Sequence, residues 1–393
     1  MSIYPTVRPS LTLDFQKSKQ LDPRISFSRS SSATYVEGGV IKYADEHQAR
    51  FEKEGLLIEE SRTNLAENSE DFSLWTTQNS TLLTAQGTAP DGTNTAFKIQ
   101  ENTSTISHSI REPSSSSWSG VATLSCFVKP AGRNFAYMGF TGVSQTSITF
   151  DLVNKVSSYQ GTNVTSGSVE DAGNGWLRIV AVFSSSITSG RATVGPAESD
   201  SGGGLNYTGD GSSGILAWGA QLEEGSFPTS YIPTSGSTVN RAADVCTITG
   251  DNFNSWYNQS EGTFAFEYNA PNQLLDNALG VWGAKSTNNA ARLEFYTGNS
   301  SSGAATFDTS TGRSFQFLTR AQAVSGKYAL AIKKDSFALS QNGNAALTDN
   351  SGDMNSTNQM VVLALGTTNN VNNQLYGHIS RFTFYPRRLT DLE

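Results

Sequence analysis

Strand periodicity, turn chemistry and residue composition predict an all-β protein: tandem antiparallel β-sandwiches behind a short β-rich N-terminal segment. Apolar residues recur at every second position in many short runs, as in strands with one buried face. The chain is 36% hydrophobic and only 16% charged, and its 36 glycines crowd with Ser, Thr and Asn between those runs. That is the composition of many short strands and turns rather than of helices. Its 393 residues exceed one ordinary domain. No sustained apolar heptad predicts a coiled-coil shaft, and no repeat of about 20 to 50 residues predicts a parallel β-helix.

The segment 1–65 is the most charged part of the chain, holding 18 of the 62 charged residues, nine of each sign. Leu11, Leu13 and Phe15 alternate with Thr12 and Asp14, and Ile25 and Phe27 with Ser26 and Ser28. Short strands fit, but so small a segment buries little apolar area by itself. It is expected to dock on something larger.

The middle segment, 66–235, reads as antiparallel strands between polar turns. Leu124, Cys126 and Val128 form one alternating set, and Ile148, Phe150 and Leu152 another. The run Trp176 to Phe183 follows the turn Asp171 to Gly175. The apolar run Ile215 to Leu222 suits a strand buried on both faces. Glu223 to Ser226 is turn material, and Pro228 and Pro233 hold Phe227 to Ile232 extended, since each disfavours helix at the residue before it. The order FDLVNK (150–155), GNGWLRIVAVF (173–183) and WGAQLEEG (218–225) resembles a jelly roll of the carbohydrate-binding-module type.

The last segment, 236–393, has the cleanest two-residue period. Phe264, Phe266 and Tyr268 alternate with Ala265 and Glu267; Tyr328, Leu330 and Ile332 with Ala329 and Ala331; Phe382 and Phe384 with Arg381 and Thr383. Asn342-Gly343 is a strong hairpin signal. GKYALAIKKDSFALSQNG (326–343) and LYGHISRFTFYPRRLTDLE (375–393) are similar to the central hairpin and final strand of concanavalin-A-like, laminin-G-like sandwiches. The segment 236–393 is expected to fold by itself.

Three stretches carry a wider resemblance: LDPRISFSRSSSATYV (21–36), GLLIEESRTNL (55–65) and GILAWGAQLEEGSFPTSYIPTSGSTVNRAADV (214–245). They resemble signatures of tailed-bacteriophage virion surface proteins of the head-spike-fibre and tail-fibre kind. The resemblance implies a non-enzymatic fibre, spike or decoration subunit on the virion surface, joined to capsid or tail proteins through residues 1–65. A host-surface glycan is the expected external partner. A receptor-binding lectin at the tail tip and a glycan-cleaving enzyme are the rival readings. Side-by-side copies gain avidity, so a homo-trimer is expected.

The net charge of −8 argues against a nucleic-acid partner, which needs clustered Lys and Arg. No apolar run approaches the ~20 residues of a membrane-spanning helix, and MSIYPTVRPS is no signal peptide, so synthesis in the host cytoplasm is expected. Cys126 and Cys246 are read as reduced core thiols, and His47, His108 and His378 match no metal-ligand spacing. Glu223 and Glu224, like Glu59 and Glu60, are sequence neighbours, and neighbours on a strand would face opposite ways, whereas a glycosidase needs two carboxylates facing one sugar. The loop 200–214 offers Asp200 and Asp210 as calcium candidates, while its Gly202 to Gly204 lack the flanking strand and helix of a phosphate cradle. Of six tryptophans, Trp176 and Trp218 are read as core. Trp118, after the loop Ser114 to Ser117, and Trp282 and Tyr296, flanking the turn Ser286 to Asn289, are the candidate sugar-binding rings.

Overall fold

The two-residue period is realised as strands throughout, with two short α-helical turns, Phe15–Ser18 and Asp251–Asn254, among the described residues. The computed structural model describes residues 5–144, 146–184, 187–200, 204–271, 279–287, 291–297, 301–308, 312–313, 318–321, 323–352, 359–368 and 374–393. The chain forms two units: Met1–Ser32 with Ala44–Ser61 and Ala242–Glu393, and Ala33–Tyr43 with Arg62–Arg241. Both are antiparallel β-sandwiches.

In the 33–43/62–241 unit, one sheet runs in the order Val164–Gly173, Trp176–Phe183, Ala122–Ala131, Gly214–Glu224, Phe97–Glu101, Ser80–Leu83. The other is built around Phe135–Thr141 and Ile187–Ala197. Leu124, Cys126, Val128, Phe150, Ile179 and Leu222 meet in the core between them. The strand Gly214–Glu224 is buried along almost its whole length, as a doubly covered strand should be. Its register against Ala122–Ala131 slips between Ser125 and Phe127. Gly219 has φ +66°, and a Cβ there would meet the Phe127 ring at 3.0 Å. Glycine is what lets this bulge form. Asn174 and Gly175 both have positive φ and close the hairpin between Val164–Gly173 and Trp176–Phe183.

In the other unit, the strand Gly377–Tyr385 is central to its sheet. Glu261–Asn269 pairs along one edge, and Leu11–Asp14 and Gly55–Ile58 share the other, end to end. Ser325–Lys333, Phe337–Gln341 and Leu347–Asp349 follow outward from Glu261–Asn269. Asn342 and Gly343 both take positive φ at the expected turn. The facing sheet holds Val245–Thr249, Val362–Leu365, Leu279–Lys285 and Ala291–Thr297, with Ser26–Ser28 at its edge. An aromatic core fills the gap: Phe264 stacks on Trp282 at 4.5 Å and Phe266 on Tyr328 at 5.6 Å.

Residues 1–65 are therefore divided between the two units rather than forming a separate docking piece. Leu11, Leu13, Phe15, Leu56 and Ile58, the apolar strip expected to await a partner, are no more than 2% exposed within this chain. The physical reason is strand pairing: Gly377–Tyr385 offers a free edge that these segments complete.

Two polar cores explain the conspicuous sequence stretches. Arg29 Nη1 lies 3.0 Å from Asp244 Oδ1, Arg50 Nη2 2.6 Å from Asp244 Oδ2, and Arg50 Nη1 2.6 Å from Glu59 Oε2. All four side chains are fully buried, two cations against two anions. Burial opposes the Arg50 charge, but Glu59 and Asp244 outweigh it and hold the guanidinium protonated. In the other unit, the Asn64 side chain donates to the Ile232 carbonyl at 2.8 Å and accepts from Leu222 N at 3.0 Å. Gln221 Oε1 accepts from Ile232 N at 2.6 Å, and Glu223 Oε2 from Thr229 N at 2.9 Å. The proline-braced segment is thus fastened by side chains rather than by a sheet ladder.

Candidate functional site

The outward positions of the sheet around Glu261–Asn269 build an open groove. With Phe264, Phe266 and Tyr268 turned into the core, alternation sends Thr263, Ala265 and Glu267 to the opposite face. Register places Ser340 beside Ala329, Ala329 beside Ala265, and Ala265 beside Thr383. A second row runs Ala338, Ala331, Thr263, Tyr385. Four adjacent strands at about 4.8 Å make a shelf roughly 14 Å wide, floored by small side chains. Residues 389–393 wall one side of a cleft of about 390 Å³ over this shelf. They are pinned there: Leu389 N donates to Thr263 Oγ1 at 2.8 Å, and Arg388 N to Glu261 Oε2 at 3.2 Å.

A second cleft of about 340 Å³ adjoins it through Lys327 and is polar, with Glu54, Glu267, Asn342 and Ser380 in its lining. Lys327 Nζ stands 3.6 Å from Glu267 Oε2, an exposed pair that leaves the ammonium available at the junction. Tyr385 is half-buried at the shelf edge and presents a ring to the first cleft. Beside the polar cleft, Glu52, Glu54 and His378 bring one ligand atom each to within 4.8 Å of one another.

The rings singled out in the sequence lie elsewhere. Trp118 is 5% exposed and packs on Phe140 at 4.6 Å. Trp282 is fully buried between Phe264 and Phe382. Both are core rings, because each completes an aromatic cluster that its polar sequence neighbours cannot. Tyr296 is half-buried, on the face of Ala291–Thr297 opposite the buried Phe295, so it does not meet Trp282. Asn288 and Asn289 of the expected turn lie outside the described residues, as do Gly202 and Gly203.

The calcium candidates are not brought together either. The Asp210 carboxylate accepts from Ser212 N and Ser213 N, both at 2.7 Å, and from Ser213 Oγ at 2.6 Å. Those bonds hold it well below the usual carboxylate range and make it a turn cap. Asp200 is exposed and joins no ligand cluster among the described residues. Glu223 is buried on Thr229 and Gln221, while Glu224 is exposed and accepts from Ser119 N at 3.2 Å, so the adjacent pair faces opposite ways. Cys126 and Cys246 are buried free thiols in different units, and burial pushes the Cys126 thiol up to about 12. Tyr385 was missed, although its outward place follows from the inward Phe382 and Phe384.

No protein-family model matches the chain, and no curated protein matches it. Solved structures give distant likenesses. "Ruminococcus gnavus IT-sialidase CBM40" is 18% identical over 34% of this chain and 80% of its own, with a TM-score of 0.29. The receptor-binding domain of botulinum neurotoxin C/D mosaic serotype is 12% identical over 38% of each chain, with a TM-score of 0.31. Mouse laminin alpha1 domains LG4-5 are 8% identical over 85% of this chain and 92% of their own, with a TM-score of 0.25. Likenesses at these TM-scores carry nothing about the groove, which stands on its own residues.

Proposed function

We propose that this chain is a non-enzymatic surface subunit of a tailed-bacteriophage virion, a fibre, spike or decoration protein, and that it adheres to glycan through the groove of the sandwich built from residues 1–32, 44–61 and 242–393. The observation that carries the adhesive part is the shelf itself: small side chains leave room for a sugar chain, Tyr385 offers a ring, and Lys327 and Asn342 offer donors. Polysaccharide chains are long and hydroxyl-rich, so an open groove with a polar rim suits them better than an enclosed apolar pocket. The virion assignment is supported by the resemblance at 21–36, 55–65 and 214–245. Attachment to the virion is not assigned to the apolar positions of 1–65, which this chain buries itself. Copies act together, as a homo-trimer in the simplest case, because avidity raises apparent affinity by about 10²–10⁴.

Two experiments test the proposal. Antibody labelling of intact virions is expected to decorate a surface structure; absence of the protein from purified virions defeats the virion assignment. Incubation with host polysaccharide is expected to give retention without new reducing ends. New reducing ends would establish the glycan-cleaving reading instead.

A further inference from the structure

We propose that Glu52, Glu54 and His378 form a binding site for a divalent transition ion of the zinc class, with at least one coordination position left to solvent. The three side chains bring one ligand atom each within 4.8 Å of one another. His378 Nε2 already lies 2.9 Å from Glu52 Oε2, and the two side chains are only 12% and 17% exposed. The second ring nitrogen, Nδ1, is buried and finds no hydrogen-bond partner among the described residues. Zinc bonds of about 2.0–2.2 Å set tetrahedral ligand atoms about 3.3–3.6 Å apart, so the cluster needs only small rotations of its carboxylates to close on an ion. Two carboxylates and a neutral imidazole bring two negative charges, which a divalent ion neutralises. A mixed nitrogen and oxygen set favours zinc-class ions over calcium, which takes six to eight oxygens.

The backbone fixes the ligands before any ion arrives. Glu52 pairs with Gly55 across the tight turn, and Leu57 pairs with His378 on the final strand. Gly55 has φ +136°, and a Cβ there would lie 2.4 Å from the Ile379 carbonyl oxygen. Only glycine allows the turn to press this closely on the strand that carries His378. Ser380 Oγ donates to the Glu54 carbonyl at 2.6 Å, and Lys19 Nζ reaches the carbonyls of Glu52 and Lys53, the latter at 3.3 Å. Held on both sides, the turn aims its two glutamates at one imidazole. This inference does not depend on the glycan reading.

The test is a titration of the full chain with Zn²⁺ against a chromophoric chelator at neutral pH, repeated with Ca²⁺. One Zn²⁺ site per chain is expected, with Ca²⁺ failing to compete. Replacing a residue that merely supports a ligand weakens a metal site about 10- to 100-fold, so His378→Gln and Glu54→Gln should each weaken binding at least about tenfold. Glu54 is partly exposed in a turn, so Glu54→Gln reports even where His378→Gln fails to fold. His47→Gln, elsewhere in the same unit, should leave binding unchanged. Absence of a stoichiometric Zn²⁺ site overturns the proposal, as does binding that survives Glu54→Gln undiminished or is lost in His47→Gln.

Discussion

The fragment 236–393, expected from the sequence to fold by itself, should not do so. It lacks Leu11, Leu13, Phe15, Leu56 and Ile58, five side chains at most 2% exposed in the core of this unit. At about 1.5–3 kcal/mol for each large apolar side chain, their loss amounts to roughly 7–15 kcal/mol. A typical domain has only about 5–15 kcal/mol of stability in all. The fragment also leaves one edge of Gly377–Tyr385 unpaired and strips Asp244 of both its arginines. Circular dichroism and urea titration of the isolated fragment should show no cooperative unfolding, whereas the full chain unfolds cooperatively. A fragment that melts in one sharp transition, close to that of the full chain, would refute the reasoning.

Three further outcomes follow from individual residues. Asp244→Ala should destabilise its unit by about 3–5 kcal/mol, since two buried arginines lose their shared partner; a loss under about 1 kcal/mol by chemical denaturation would contradict the buried network. Burial, aided by the Glu67 carboxylate, raises Glu112 to about 7 from an ordinary 4.5. Because the folded state then holds its proton more tightly, the stabilisation is complete below pH 4.5 and is lost as pH rises through about 7. At about 1.4 kcal/mol per tenfold change in proton affinity, this is on the order of 3 kcal/mol, so Glu112→Gln should flatten the fall in stability between about pH 5 and about pH 8. Parallel curves for the two proteins would count against it. Trp118→Ala should cost about 3–5 kcal/mol of stability, as removal of a core aromatic does, yet leave glycan retention intact; lost retention in a folded variant would restore Trp118 as a binding ring.

What could be read from the sequence was whatever depends on local alternation. Phe264, Phe266 and Tyr268, the Tyr328 run, and the Asn342-Gly343 turn appear as their spacing predicts, because a strand's side-chain period is a property of the backbone alone. Long-range pairing was not legible. Nothing near Leu11 announces that its partner is Phe384, and nothing near Arg29 announces Asp244. Trp118 and Trp282 sit beside polar turns in sequence, but a ring turns toward whatever cluster it completes, and both clusters are assembled from distant strands. The groove lay half in view: the outward Ala265, Ala329 and Ala331 follow from alternation, whereas the walling of the shelf by residues 389–393 comes from contacts across the fold.

The most direct test of the adhesive role fills the shelf without disturbing the core. Ala329 points outward between Ser340 and Ala265, so Ala329→Tyr puts a ring into the first cleft while Tyr328 and Leu330 stay packed. Equilibrium binding of host surface polysaccharide should be measurable for the wild type and fall about tenfold or more in this variant, a loss of about 1.4 kcal/mol. Equal binding by the two folded proteins, or none by the wild type, would contradict glycan recognition in this groove.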